Sequence, residues 1–192
     1  MADVEVGRDS AEYAETIAEV FVETVQRCTQ EAMCCEYDNE EITPSLMECL
    51  QYVCLHGASP VRQIGWGLDV SVSAASQLVD RLVRRGLATR RENETDRRLA
   101  KVDLTDAGRE VVGQMRKRRS EWFASIVENM PKSKRQALLE GLEGFLRVAL
   151  AHDGNIDRAC ARCGIGHAAF CVIDKVRKGR SEAGVSQKEP RS

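Results

Sequence analysis

A mainly α-helical fold with one small β-hairpin is predicted by three observations. Apolar residues recur at helical spacing through most of the 192 residues. Helix formers dominate and proline numbers only four. Between Gly86 and Arg109 the pattern changes, and two short runs, Leu87–Arg91 and Leu99–Leu104, read as strands joined by a polar tip. The length suits one domain of ordinary size plus a short extension. Hydrophobic residues at 43% and charged residues at 30% suit a globular protein in water. Aromatics at 5% leave the core to aliphatic side chains.

The elements follow in order. Residues 1–9 read as frayed. Asp9 with Glu12 resembles a capping box, and Ile17, Val20, Phe21, Thr24 and Cys28 then recur at helical spacing to about Cys35. Thr43 is an N-cap with Pro44 at the first helical position. Leu46, Cys49, Leu50, Val53 and Cys54 form the stripe of that helix, and Gly57 closes it. Ser59-Pro60 repeats the start signal for a short helix through about Trp66. A tight GLDVS connection leads to a second helix capped by Ser71, striped by Ala75, Leu78, Val79 and Leu82, and stopped by Gly86. Two such helices joined by three or four residues make a helix-turn-helix. After the hairpin, Thr105 caps a helix that runs to about Met130, where Pro131 breaks it. A last long helix over 133–151 carries Leu138, Leu142, Phe145, Leu146 and Ala149 on one side. The long terminal helices hold more apolar surface than one small winged unit can cover, which predicts dimerisation. The predicted organisation is an N-terminal dimerisation helix (1–42), a winged helix-turn-helix (43–104), C-terminal dimerisation helices (105–151), a cysteine-rich extension (152–176) and a basic tail (177–192) expected to be disordered.

The net charge of −2 hides an asymmetry. Residues 1–41 hold twelve Asp/Glu against two Lys/Arg, while residues 81–119 hold thirteen Lys/Arg against six Asp/Glu. A basic block that coincides with the hairpin points to phosphate attraction; a merely solvated helix face is the plainer alternative. In a helix-turn-helix the second helix enters the major groove N-terminal end first. Here that end offers Ser71, Val72, Ser73, Ser76 and Gln77. Its small side chains allow close approach, its hydroxyls and amide can bond base edges or phosphates, and Val72 can meet a thymine methyl. Arg81, Arg84 and Arg85 suit phosphates. At the hairpin tip Arg97 and Arg98 can enter a narrow minor groove, Asp96 can orient the guanidinium, and Arg90, Arg91 and Lys101 on the strands can contact the backbone.

From Ser73 to Arg109 the chain resembles the MarR family of winged helix-turn-helix regulators. Val79-Asp80-Arg81-Leu82, Gly86-Leu87, Asp96-Arg97-Arg98 and Leu104-Thr105-Asp106-Ala107-Gly108-Arg109 carry the resemblance. The helix layout extends it to about residues 10–151. It implies a homodimer with interleaved terminal helices that reads double-stranded DNA at a pseudopalindromic operator, with half-sites about one helical turn apart. It makes Arg98 the minor-groove arginine and Asp96 its partner. Trp66 departs from the family pattern, which has a small or charged residue there, and a core role is expected for it. Gly65 should weaken its helix by roughly 1 kcal/mol relative to alanine.

Beyond residue 151 comes a cysteine-rich segment. Cys160, Cys163, His167 and Cys171 follow C-x2-C-x3-H-x3-C, a spacing that can close a tetrahedral zinc site. Three thiolates could instead hold an iron–sulfur cluster with a further ligand from Cys34 or Cys35. Three core cysteines in a helical extension, with no metal, is the competing reading. Cys28, Cys49 and Cys54 fall on apolar stripes and are expected in the core. Eight cysteines in a reducing compartment are not expected to form structural disulfides. No signal-peptide pattern opens the chain and no apolar run is long enough for a bilayer, so a cytoplasmic protein without membrane contact is expected.

These features together predict a DNA-binding regulator, more simply a repressor, responsive to a metal, an iron–sulfur cluster or redox state at the C-terminal cysteines. One alternative is a regulator induced by a small aromatic ligand, with a structural cysteine extension. A more remote one is a redox or electron-transfer protein. An enzyme is not expected: no phosphate-binding glycine loop, GxSxG or HExxH motif is present.

Overall fold

The centre of the molecule is a helix that is apolar on most of its circumference. In a computed structural model, which describes residues 8–33, 36–37, 40–91, 100–153, 156, 159–160 and 171–182, this helix, α2, spans Pro44–His56. It starts where predicted. Thr43 is extended, Pro44 presets the first turn, and Gly57 at φ +70° ends the helix by donating its N–H to the Val53 carbonyl. Leu46, Met47, Cys49, Leu50, Tyr52 and Val53 are all buried.

The remaining elements assemble around α2. Helix α1 (Arg8–Met33) precedes two short paired strands, β1 (Glu36–Tyr37) and β2 (Glu40–Glu41). After α2 come β3 (Ser59–Pro60), α3 (Val61–Leu68), α4 (Val72–Arg84), β4 (Ala88–Arg91), β5 (Lys101–Leu104), α5 (Asp106–Asn129), α6 (Lys132–Asp153) and α7 (Val172–Glu182). The fold is mainly α with a small antiparallel sheet ordered β3-β5-β4. One core gathers α2 to α5 and the sheet, with Ile64, Ala75, Val79, Leu82, Leu87, Val102, Val112 and Met115 all inaccessible to solvent. This core is the winged helix-turn-helix.

Four expectations need correction. Ser59-Pro60 does more than start a helix: it forms β3 and pairs with Val102 and Lys101 of β5. Proline is tolerated there because β3 is an edge strand. Helix α3 runs two residues past Trp66, to Leu68, and ends at Asp69 in the left-handed conformation, φ 60°. Trp66 is not in the core: 54% of it is exposed, because Val61, Ile64, Gly65, Gly67 and Leu68 take the inward face of α3. The tail beginning at 177 is helical for its first six residues, since α7 continues to Glu182.

The glycines beside Trp66 have a packing role that outweighs their cost in helix propensity. A Cβ on Gly67 would overlap the edge of the Tyr52 ring at Cε2, and one on Gly65 would lie 3.2 Å from the Val70 carbonyl oxygen. Both positions let neighbouring elements approach closely.

The flanking helices behave differently. On α1, Tyr13, Ile17, Val20 and Phe21 are exposed, and on α6 so are Leu139, Phe145 and Val148. The predicted α6 stripe holds for Leu138, Leu142, Leu146 and Ala149, which are half-buried; Phe145 points away from them and is exposed. A second, small core joins the end of α6 to α7 through Ile156, Ile173 and Val176, with Leu150, Ala159, Cys160, Cys171 and Val172 packed against it. Lys175 on α7 reaches Glu143 on α6 at 3.1 Å, and Arg147 pairs with the same carboxylate at 2.9 Å. These two cations hold the Glu143 carboxyl below its ordinary range, the Arg147 hydrogen bond contributing most.

Candidate nucleic-acid interface

Helix α4 is amphipathic, and its two faces have separate tasks. Ala75, Val79 and Leu82 bury one face against the core. The other leaves Ser73, Gln77, Asp80, Arg81 and Arg84 in solvent, with Ser76 half-buried beside them. The helix begins at Ser71, whose Oγ accepts the Ala74 N–H at 3.1 Å. That cap satisfies one of the free donors at the helix start and fixes where the exposed end begins. Val72, at the first position, is 53% exposed. The N-terminal end of α4 therefore presents small polar and apolar side chains on a rigid support.

The strands bring basic residues beside this helix. Arg90 and Arg91 on β4 and Lys101 on β5 are exposed. Arg91 and Lys101 are register partners, so two positive charges sit across from each other at the root of the hairpin tip. Like charges at such positions are unfavourable by themselves, and a phosphate nearby would relieve them. Arg90 places Nη1 3.3 Å from Asp80 Oδ1, which ties the wing to α4. Arg81, Arg84 and Arg85 at the end of α4 line an open cleft of about 400 Å3 with Thr43 and Leu46 at the start of α2. Arg85 itself donates to the Glu41 carbonyl at 2.9 Å, so it braces β2 rather than facing outward like its neighbours.

The base of the wing is locked to α5. Thr105 Oγ1 donates to the Gly86 carbonyl at 2.7 Å and accepts the Gly108 N–H at 3.1 Å. The Thr105 N–H donates to the Leu87 carbonyl, and Arg109 pairs with Asp103 at 2.9 Å. The Leu-Thr-Asp-Ala-Gly-Arg run thus anchors the base of the wing. The two ion pairs, Asp80–Arg90 and Asp103–Arg109, are not evident from sequence reading; the only hint was their place inside a dense run of charges.

Of the predicted contact residues, Ser71, Val72, Ser73, Ser76, Gln77 and Arg81 share α4 and its start, Arg90 reaches that helix through Asp80, and Arg91 and Lys101 face each other across β4 and β5. Asp96, Arg97 and Arg98 lie outside the described residues, as do Cys34, Cys35, Cys163 and His167. Cys160 and Cys171 are half-buried and pack on the same small core. Cys171 Sγ accepts the Asp174 N–H at 3.5 Å at the start of α7. Among the described residues, no group of three or more histidine, cysteine, aspartate or glutamate side chains is arranged to hold a metal ion. Cys49 is a core thiol, and burial pushes its pKa up to about 12. Cys54 packs against the main core, and Cys28 is half-buried on α1. Among the described residues no helix is long and apolar enough to cross a membrane.

Comparison with known proteins bears on this geometry. Residues 42–99 match the family model described as MarR family. Over 71 residues the chain is 32% identical to the HTH-type transcriptional repressor MdtR of Bacillus subtilis (strain 168), which covers 37% of this chain and 46% of that protein. The match thus spans about half the length of this curated relative. Among solved structures, RV1404 from Mycobacterium tuberculosis superposes with a TM-score of 0.63 at 29% identity, over 76% of this chain and 96% of that one. A MarR family protein from Bacillus stearothermophilus gives a TM-score of 0.64 at 18% identity, over 75% of this chain and 98% of the other. The fold is the MarR-type winged helix, and the family match falls on the winged unit.

Proposed function

We propose that this protein, with a MarR-family match over its winged unit, is a sequence-specific DNA-binding transcriptional regulator that acts as a homodimer. It is not an enzyme on this reading. The observation that carries it is the exposed N-terminal end of α4 set beside a wing whose root bears Arg90, Arg91 and Lys101. In this mechanism α4 lies in the major groove. Ser73, Ser76 and Gln77 read base edges and Val72 meets a thymine methyl. Arg81 and Arg84 hold phosphates, and Arg98, oriented by Asp96, enters the minor groove. The exposed apolar faces of α1 and α6 support the homodimer, since patches of that kind mark association surfaces. Repression is the simpler sign, in keeping with the name of the MdtR relative.

The signal is assigned to the C-terminal cysteines. That Cys160 and Cys171 both pack against one small core, with Cys163 and His167 between them in sequence, supports a metal, iron–sulfur or thiol-redox site there. Anaerobic purification followed by metal analysis and a visible absorption spectrum separates iron–sulfur, zinc and thiol chemistry in one step. The DNA reading is tested by selection from a random-sequence duplex pool followed by footprinting. The expected result is a pseudopalindrome with half-sites about one helical turn apart. Recovery of no preferred sequence would contradict it.

A further inference from the structure

The helix-turn-helix elbow carries exposed apolar residues, of which the DNA reading above uses Val72 but neither Trp66 nor Val70. Trp66 is 54% exposed, Val70 39% and Val72 53%. The three lie within seven residues on either side of the turn between α3 and α4. The elbow is rigid. The Val70 N–H donates to the Gly65 carbonyl at 3.0 Å and the Asp69 N–H to the Trp66 carbonyl at 3.2 Å. Ala75 packs close behind Gly65. Trp66 is therefore a large ring held outward by a fixed backbone, directly before the helix end assigned to the major groove. Arg62, also exposed, sits one helical turn earlier on the same outer face of α3.

We propose that Trp66 is a DNA-contacting residue that lies on the sugar–phosphate edge flanking each half-site, with Arg62 beside it on a phosphate. The inference rests on the reading of this protein as DNA-binding and adds a contact to it. Three arguments select duplex DNA as the occupant. Exposed Val70 and Val72 lie in the turn and at the first helical position that lead from Trp66 into the end of α4 that carries Ser71 and Ser73. An exposed guanidinium on the same face matches a polyanion. The indole combines an apolar face, which suits deoxyribose, with an N–H donor that a phosphate oxygen can accept.

The test uses the full chain carrying Trp122→Phe. The sequence has two tryptophans, so this leaves Trp66 as the sole tryptophan emitter. A duplex recovered by that protein from a random-sequence pool serves as the probe. Binding is expected to change Trp66 emission. Trp66→Ala should weaken the duplex by about tenfold, the scale of one well-placed aromatic contact, and Trp66→Phe should retain most of the affinity. Unchanged circular dichroism is expected for both, because the side chain lies outside the core. If the duplex binds with affinity within about twofold of the parent after Trp66→Ala, whatever the emission does, the contact is overturned and the DNA reading stands. If no duplex is recovered at all, the DNA reading falls and this contact falls with it.

Discussion

The winged unit and the helices that flank it solve the same problem in opposite ways. Around α2, twenty of the described residues close into one core, and twelve large side chains among them, from Ile42 and Leu46 to Val112 and Met115, are almost wholly inaccessible. On α1 and α6 the apolar residues are there too, yet Tyr13, Val20, Phe145 and Val148 keep more than half of their surface in water. The winged unit buries most of its apolar surface within one chain, with Trp66 and Val72 among the exceptions. The flanking helices have an apolar surface left over, so their stability depends on what they meet. On the proposed reading, the first part meets DNA and the second couples two copies of the chain.

The most disruptive way to break this contrast is Gly67→Ala. A methyl group there overlaps the Tyr52 ring, and overpacking of this severity should cost about 3 kcal/mol, read as a lower urea midpoint for the winged unit. An unchanged midpoint would mean that α2 and α3 are not packed this tightly. Next in size, Phe145→Glu combined with Val148→Glu should leave helical content intact but give a monomer in sedimentation. Operator affinity should then fall on the order of a hundredfold through lost bivalency. A dimer that survives both changes would move the coupling surface elsewhere.

A smaller effect sharpens the picture of the core itself. The Cys49 thiol is raised from 9.0 to about 12 by burial. The unfolded chain therefore releases this proton first. The stabilisation is complete below pH 9 and is lost as pH rises toward 12. Between pH 9 and 10 the loss from this group is about 1 kcal/mol. Cys49→Val should flatten that part of the stability profile, measured by urea unfolding across the range.

What the sequence disclosed follows the same division. The caps Ser71 and Thr105, the stop at Gly86 and the stripe of α4 were legible because each is a local preference acting where the chain is densely packed. Strand β3 was not, since two residues have no period to detect and its pairing is with Val102 and Lys101, about forty positions away. Trp66 was misjudged because composition favours burying tryptophan, whereas its place on α3 is decided by the five residues that already fill the inward face. Arg90 was recognised as basic, but not its bond to Asp80, which depends on how the wing folds back on α4. In the extension, Cys160 and Cys171 were singled out by spacing, and their shared core became visible only once α7 was placed against α6.

In the proposed mechanism, duplex reading by the winged unit turns on its wing arginine, Arg98. The most direct test is the affinity of wild type and Arg98→Ala for the selected duplex over a range of salt concentrations. A steep salt dependence is expected for the wild type. The variant should lose about tenfold or more, with the salt slope lowered by about one. Equal affinities and equal slopes would contradict this mechanism.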